Sequence, residues 1–460
     1  MASPSFPEPP PSVEPTPLDV VDAKLSRLAA NKDKWVRVSL DDRIELLERC
    51  IDATHAVARE WAEASCKAKG INPNSEQAGE TWLSGPTTTL RNLRLLIETL
   101  KANGQPRPVK QWTRRNGQSV AQVFPGDLFD KILFTGFTAE VWIEPGKPPS
   151  QGRIYREKDY GNYPEGNVGL VLGAGNISSI GPMDALFKLF VEDEVVILKT
   201  NPVNEYTGPI VERAFAPLVN AGYFEIVYGG AEVGKHLCEH DDVHSIHITG
   251  SDRTHDAIIW GPTAKEQARR KKKGDPKNKR PISSELGCVT PVFVVPGPWN
   301  DVELDYQARH VASMVAHNGS FNCNAAKVLV TAKGWPLREE FIHRVQHYMS
   351  QFRPRKAYYP GAQDRYASFL EEYPDALVLG EKGADIVPWT FLPNVPAEDG
   401  EYALTNEAFC GVIADITIDA THAGDFLDKA TDFANESIWG TLSCCMLIHP
   451  ETQKHYSEAF

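Results

Sequence analysis

Cys323 closes the run Asn318-Gly319-Ser320-Phe321-Asn322-Cys323, between an apolar helical stretch and the strand-like Val328-Leu329-Val330. A thiolate in such a loop can attack a carbonyl carbon, and the thiohemiacetal formed gives up hydride more readily than a free aldehyde. Three further parts are needed. A donor pair must hold the developing oxyanion, a carboxylate must activate water to release the thioester, and a strand–loop–helix segment must bind a cofactor pyrophosphate. Each part has a candidate, and the candidates follow one another along the chain. Asn176 ends Gly173-Ala174-Gly175-Asn176 after a strand, and its side-chain amide can donate to an oxyanion. Lys199 ends the apolar run Val195-Val196-Ile197-Leu198, where a parallel strand faces a cofactor crevice. Gly230 and Gly234 open a short helix, and Thr249-Gly250-Ser251 ends the next strand. Glu285 stands in Ser284-Glu285-Leu286-Gly287, and Glu407 and Phe409 lie in Asn406-Glu407-Ala408-Phe409-Cys410-Gly411.

Each signal has a plainer reading beside it. An isolated cysteine is usually a buried space-filler, Asn176 suits a turn, and a GxxxG pair occurs in many tight strand–helix turns. Cys288 and Cys410 read as small packing residues. His236, Cys238, His240, His244 and His247 have zinc-like spacing at their start. The run then turns into a strand, which scatters the side chains, so no metal site is expected.

The elements that must position these residues alternate. Strand-like 167–172, 194–198, 225–228 and 245–249 are interleaved with helix-like 183–191, 210–221 and 234–239. A second series begins after Pro281, with 291–295, 308–317 and 327–330 as its first members. Such alternation implies parallel strands with helical crossovers, hence an α/β fold. Residues 18–104 read as packing helices. The proline-rich tail 1–17 reads as disordered and partly polyproline. Residues 138–156 contain two β-prone runs around a Pro-Gly-Lys-Pro-Pro turn and read as a β-hairpin arm. The basic stretch 265–280 reads as a solvated surface insertion.

Composition narrows the classes. Over 460 residues, 42% are apolar and 24% charged, as in ordinary globular proteins. The net charge of −13 argues against nucleic acid as a partner. No apolar run is long enough to span a bilayer, so no membrane partner is expected. The eight cysteines are scattered without a CxxC pair, which suits a reduced, cytoplasmic protein.

Taken in order, Asn176, the strand ending on Lys199, Gly230–Gly234, Thr249-Gly250-Ser251, Glu285-Leu286-Gly287, Cys323 and Glu407-Ala408-Phe409 resemble the aldehyde dehydrogenase family. The resemblance runs over roughly residues 35–460, with the best matches between 164 and 330. It implies an aldehyde dehydrogenase-like α/β fold: a Rossmann-type cofactor domain, an α/β catalytic domain and a projecting β-hairpin arm. The implied division is a dinucleotide-binding domain at 18–137 and 160–285, an oligomerisation hairpin at 138–159 and a catalytic domain at 286–460. By the same resemblance Cys323 is the nucleophile, and Asn176 with the Cys323 backbone N–H forms the oxyanion hole. Glu285 is the general base. Lys199 contacts the adenosine ribose, Ser251 the pyrophosphate and Glu407 the nicotinamide ribose. The implied substrate is a small-molecule aldehyde and the implied assembly a homo-oligomer.

Several positions depart from the family pattern. Ser320-Phe321-Asn322 precede the cysteine where Gly-Gln is usual, Cys288 stands for the second glycine after Glu285, and Phe409-Cys410-Gly411 replaces Phe-Gly-Pro. Pro202 occupies the place of a glutamate that excludes a ribose 2′-phosphate, leaving NAD and NADP both open. Family members continue beyond the segment resembling 434–440, so this chain is expected to be a fragment or a short form. Two alternatives remain beside hydrolytic oxidation: a coenzyme A-acylating reductase and a catalytically silent dinucleotide-binding homologue.

Overall fold

The computed structural model describes residues 4–157 and 165–457. The first three residues of the tail, the expected hairpin–cofactor boundary at 159–160 and the last three residues lie outside the described residues.

Two sheets dominate, and their central strands read as near-continuous apolar runs because helices cover both faces. The first sheet has the order β6-β5-β4-β7-β8. Its members are β4 (Asn167–Leu172), β5 (Glu194–Lys199), β6 (Phe224–Val227), β7 (Ser245–Thr249) and β8 (Ile282–Glu285), all parallel. From the central β4 the chain steps outward to β5 and β6, then returns to place β7 on the other side. That reversal opens a crevice at the carboxyl ends of β4 and β7, where ligands bind in such sheets. The apolar core here is formed by Val168, Leu170, Val195, Ile197 and Phe224 with the helices Leu18–Trp35, Leu40–Ala68 and Ile180–Phe190.

The second sheet runs β11-β12-β13-β10-β9-β14. It contains β9 (Thr290–Val294), β10 (Ala326–Ala332), β11 (Leu377–Val378), β12 (Thr390–Val395), β13 (Val412–Ile418) and β14 (Cys445–Leu447). All pairs are parallel except β11 with β12. It has a separate core around Val292, Leu329, Phe391 and Ile416.

Three local expectations need correction. The strand Ala139–Trp142 (β3) does not fold back on 152–156. It pairs with Ser119–Phe124 (β2), which in turn pairs with Lys110–Thr113 (β1), giving a three-stranded antiparallel sheet. Residues 153–157 are helical instead. Pro145, Pro148 and Pro149 lack the N–H that a hairpin ladder at this place requires. This small sheet and the helix Leu128–Leu133 leave Leu128, Phe129, Ile132, Phe137 and Trp142 exposed.

The helix expected at 210–221 is two helices, Gly208–Ala214 and Ala216–Ala221, because Pro217 cannot donate to a continuous ladder. The described part of the tail, 4–17, lacks regular secondary structure but is docked. Val13 N–H donates to Glu205 at 3.1 Å, Thr16 N–H to the Tyr228 carbonyl at 3.2 Å, and Tyr228 N–H to Thr16 Oγ1 at 2.9 Å. Prolines restrict the free chain, so docking it costs little entropy. Among the described residues no helix is long and apolar enough to cross a membrane.

Candidate active site

The carboxyl edge of the first sheet and the amino edge of the second supply the catalytic and cofactor-binding candidates named in the sequence. β4 delivers Gly173–Asn176, β5 ends on Lys199, β7 on Thr249 and β8 on Glu285. The register places Leu172 beside Lys199 and Thr249 beside Glu285. On the other side Cys323 precedes β10 and Glu407 precedes β13, with Thr290 of β9 donating its hydroxyl to the Cys323 carbonyl at 3.1 Å.

The loop before Cys323 is held in an uncommon conformation. Asn318, Gly319 and Ser320 have φ of 54°, 66° and 67°, a left-handed run that only its surroundings can maintain. The fully buried Asn318 supplies that restraint. Its amide donates to the carbonyls of Asn176 and Phe321 and to the side-chain oxygen of Asn322. Tyr358 closes the arrangement, donating from its hydroxyl to the Asn176 carbonyl at 3.2 Å and to Asn318 Oδ1 at 3.1 Å. The loop carrying Cys323 and the turn carrying Asn176 are thus tied together by two side chains. The Asn176 side-chain amide makes no hydrogen bond among the described residues, which leaves it free to serve an oxyanion.

Around the thiol, the charges oppose one another. Burial and the nearby Glu407 carboxylate push the Cys323 thiol upward. Lys327 and the backbone N–H groups of Asn324 and Cys323 act in the opposite sense. Lys327 is buried, donates to the carbonyls of Asn322 at 2.9 Å and Ala325 at 3.0 Å, and has its pKa lowered by burial. Glu407 is raised by burial against the pull of Lys327, the Cys288 N–H and Arg365. Its carboxylate occupies the space a Cβ on Gly287 would need, 2.2 Å from that point, so Gly287 makes room for it. Its Oε1 has no partner among the described residues.

Glu285, by contrast, is exposed at the end of β8; its carbonyl accepts from Gly250 N–H at 3.0 Å, and its carboxylate makes no hydrogen bond among the described residues. Phe409 has φ of 43° and is held there by Arg365, whose guanidinium donates to the carbonyls of Ala408 and Phe409. Tyr359 packs edge-on against its ring.

The cofactor candidates line one edge. Lys199 is buried, and that burial lowers its pKa. A Cβ at Gly230 or Gly234 would meet nothing within 4 Å, and the helix Ala231–Glu239 starts without a side-chain cap. Its first-turn N–H groups are therefore available to a phosphate. The helix Asp252–Trp260 differs, because Ser251 Oγ already accepts from Thr254 N–H. Cys288 and Cys410 are fully buried, and burial pushes the Cys410 thiol up to about 12.

Sequence reading missed Lys327, Asn318, Tyr358 and Arg365. Lys327 alone carried a signal, being a lysine inside the apolar run before Val328. Two cavities of about 510 and 450 Å³ lie elsewhere, one beside Arg91 and Val141, the other beside Lys188 and His244.

A family model described as the aldehyde dehydrogenase family matches residues 175–363. A 2-hydroxymuconic semialdehyde dehydrogenase of Pseudomonas sp. (strain CF600) is 24% identical over 388 residues. That alignment takes in 80% of this chain, and the chain spans 65% of the length of that curated relative. Among solved structures, an indole-3-acetaldehyde dehydrogenase in complex with NAD+ superposes with a TM-score of 0.68 at 15% identity, covering 97% of this chain and 80% of its own. An NADP-dependent enzyme of E. coli gives the same TM-score and identity, covering 97% and 82%. At such identities the superpositions speak for the fold.

Proposed function

We propose that the chain, whose residues 175–363 match the model of the aldehyde dehydrogenase family, is a member of that family and oxidises an aldehyde to a carboxylate with NAD or NADP, through a thiohemiacetal and a thioester on Cys323. The observation that carries this reading is the setting of Cys323. A half-buried thiol faces a buried lysine, two backbone N–H donors and a half-buried carboxylate, on a loop bound to the turn of Asn176. A cysteine kept only for packing has no use for this combination.

The residues of the cofactor edge fit a dinucleotide. The uncapped helix start at Ala231 and the clear glycine face suit a pyrophosphate, and Lys199 suits a ribose. When bound, the nicotinamide supplies the hydride acceptor. Lys327 and the N–H groups of Asn324 and Cys323 stabilise the thiolate, which adds to the aldehyde carbon. Asn176 Nδ2 and the Cys323 N–H receive the oxyanion. After hydride loss a carboxylate takes a proton from water, and that water breaks the thioester, returning the thiolate. Glu285 and Glu407 both stand as candidates for this base; Glu407 is the one whose charge reaches the thiol.

The exposed apolar surface of the helix Leu128–Leu133 and the adjoining three-stranded sheet is the surface we assign to a second copy of the chain. Light scattering of the Phe129→Ser/Ile132→Ser variant should then show a smaller particle.

The function is tested with an aldehyde panel and NAD or NADP, following reduced nicotinamide with and without coenzyme A. Turnover by the parent chain and its absence in Cys323→Ala, with dinucleotide binding retained, is the expected result. Normal oxidation by Cys323→Ala would remove the thiol from the mechanism. Turnover that requires coenzyme A would replace the hydrolytic reading by the acylating one.

A further inference from the structure

We propose that Asp22, His236 and His240 form a binding site for a zinc-type divalent cation, independent of the chemistry at Cys323. The sequence expectation that the histidines scatter holds for Cys238, His244 and His247. Cys238 is buried, His244 Nδ1 accepts from Val168 N–H, and His247 points to Ser283 on the neighbouring strand. His236 and His240 stay together. His236 lies in the last turn of the helix Ala231–Glu239 and His240 caps it, so the two imidazoles leave the same face. Asp22 meets them from the helix Leu18–Trp35, which no periodicity in the sequence could foresee.

Asp22 Oδ1 lies 2.6 Å from His236 Nε2 and 3.5 Å from His240 Nε2. One ligand atom from each residue falls within 4.8 Å of those of the other two. Around tetrahedral zinc, with bonds of about 2.0–2.1 Å, donor atoms stand roughly 3.3 Å apart. The Asp22–His240 separation already suits this, and the Asp22–His236 contact must open by about 0.7 Å. The three side chains are 48%, 29% and 22% exposed, so small rotations are available and water can fill the remaining coordination position.

The donor set selects the ion. Two imidazoles and one carboxylate suit zinc and its late first-row neighbours, whereas calcium and magnesium prefer oxygen donors throughout. The site also lies at a helix C-terminus, where unpaired carbonyls favour positive charge. The Asp242 carboxylate is 3.9 Å from His240 Nδ1. Without metal, that nitrogen accepts from Asp242 N–H. Binding through Nε2 moves the imidazole proton to Nδ1, where the Asp242 carboxylate can take its hydrogen bond, as metal-bound histidines commonly require. A bound ion would join the first helix to the helix whose other end carries Gly230.

The test uses the full chain with accessible thiols blocked, titrated with Zn²⁺ by calorimetry and with Co²⁺ by visible absorption. The expected result is one bound ion, with cobalt d–d bands and no thiolate charge-transfer band. His236→Ala, His240→Ala and Asp22→Asn should each weaken binding by about tenfold or more, and the control His310→Ala should not. Zn²⁺ should raise the Tm of the parent chain and leave that of the variants unmoved. If a histidine-to-alanine variant fails to give the parental circular dichroism, the asparagine variant replaces it. Absence of binding in the parent, or binding that all three variants retain, would overturn the site and leave only a hydrogen bond between His236 and Asp22.

Discussion

Lys327 donates to the carbonyl of Asn322, the residue before Cys323, at 2.9 Å. The bond fixes the backbone that aims the thiol, while the charge of the same ammonium acts on the half-buried Glu407. Replacing it by methionine removes that anchor and one of the two cationic charges acting on Glu407, the other being Arg365. Lys327→Met should lose about 1–3 kcal/mol of stability in urea unfolding, the cost of leaving buried carbonyls without their donor. Iodoacetamide should modify Cys323 more slowly at neutral pH, since one of the groups favouring the thiolate is gone. Lys327→Arg should restore most of the alkylation rate. An unchanged alkylation profile in Lys327→Met would separate the lysine from the thiol.

Glu407 makes stability depend on pH in a defined sense. Burial raises its folded-state pKa above the ordinary glutamate range. A carboxyl raised on folding contributes stability below its unfolded pKa, and that contribution is lost as pH rises through the folded pKa. Glu407→Gln should therefore match the parent in acid and exceed it in Tm above neutrality. The same variant removes one of the charges that hold the Cys323 thiol up, so alkylation of Cys323 should accelerate. Equal Tm curves at all pH values would contradict the burial of an ionised carboxylate here.

The two carboxylates are separable by pre-steady-state kinetics. If Glu407 activates the water, Glu407→Gln gives a burst of reduced nicotinamide followed by slow turnover, and Glu285→Gln does not. The reverse pattern assigns the base to Glu285, whose exposed side chain would then have to turn inward. A burst in neither variant would exclude both.

Gly234 offers a test of the cofactor edge. Because nothing lies within 4 Å of a Cβ there, Gly234→Leu should fold normally. A side chain on that face should weaken dinucleotide binding by at least about tenfold, or 1.4 kcal/mol, measured by fluorescence titration. Parental affinity would move the cofactor away from this helix.

Much of the frame was readable because it rests on local pattern. The apolar runs of β4, β5 and β7 are short and bounded by glycine or polar residues, and the structure keeps Ser245–Thr249 and Asn167–Leu172 as expected. The errors fall where partners are distant in sequence. β3 pairs with a strand separated from it by the helix Leu128–Leu133, and local turn chemistry suggested the nearer 152–156 instead. The same holds in the site. Cys323, Asn176 and Glu407 belong to ordered motifs, but Asn318 and Tyr358 act through side-chain bonds to the Asn176 carbonyl, 142 and 182 positions away. No spacing rule encodes such a bond. The neighbourhood of Asp22 and His236 is of that kind as well, a meeting of two helices 214 positions apart.

The docked tail has a meaning for how the chain behaves in a crowded solution. β6 is an outer strand of the first sheet, and an outer strand is a template onto which another molecule can add. Thr16 takes both the N–H and the carbonyl of Tyr228, the residue following that strand. The opening prolines have no N–H of their own with which to extend a ladder. The chain thus guards its own margin with a segment that cannot propagate pairing. A form beginning at Leu18 should fold, yet self-associate at concentrations where the longer one stays dispersed.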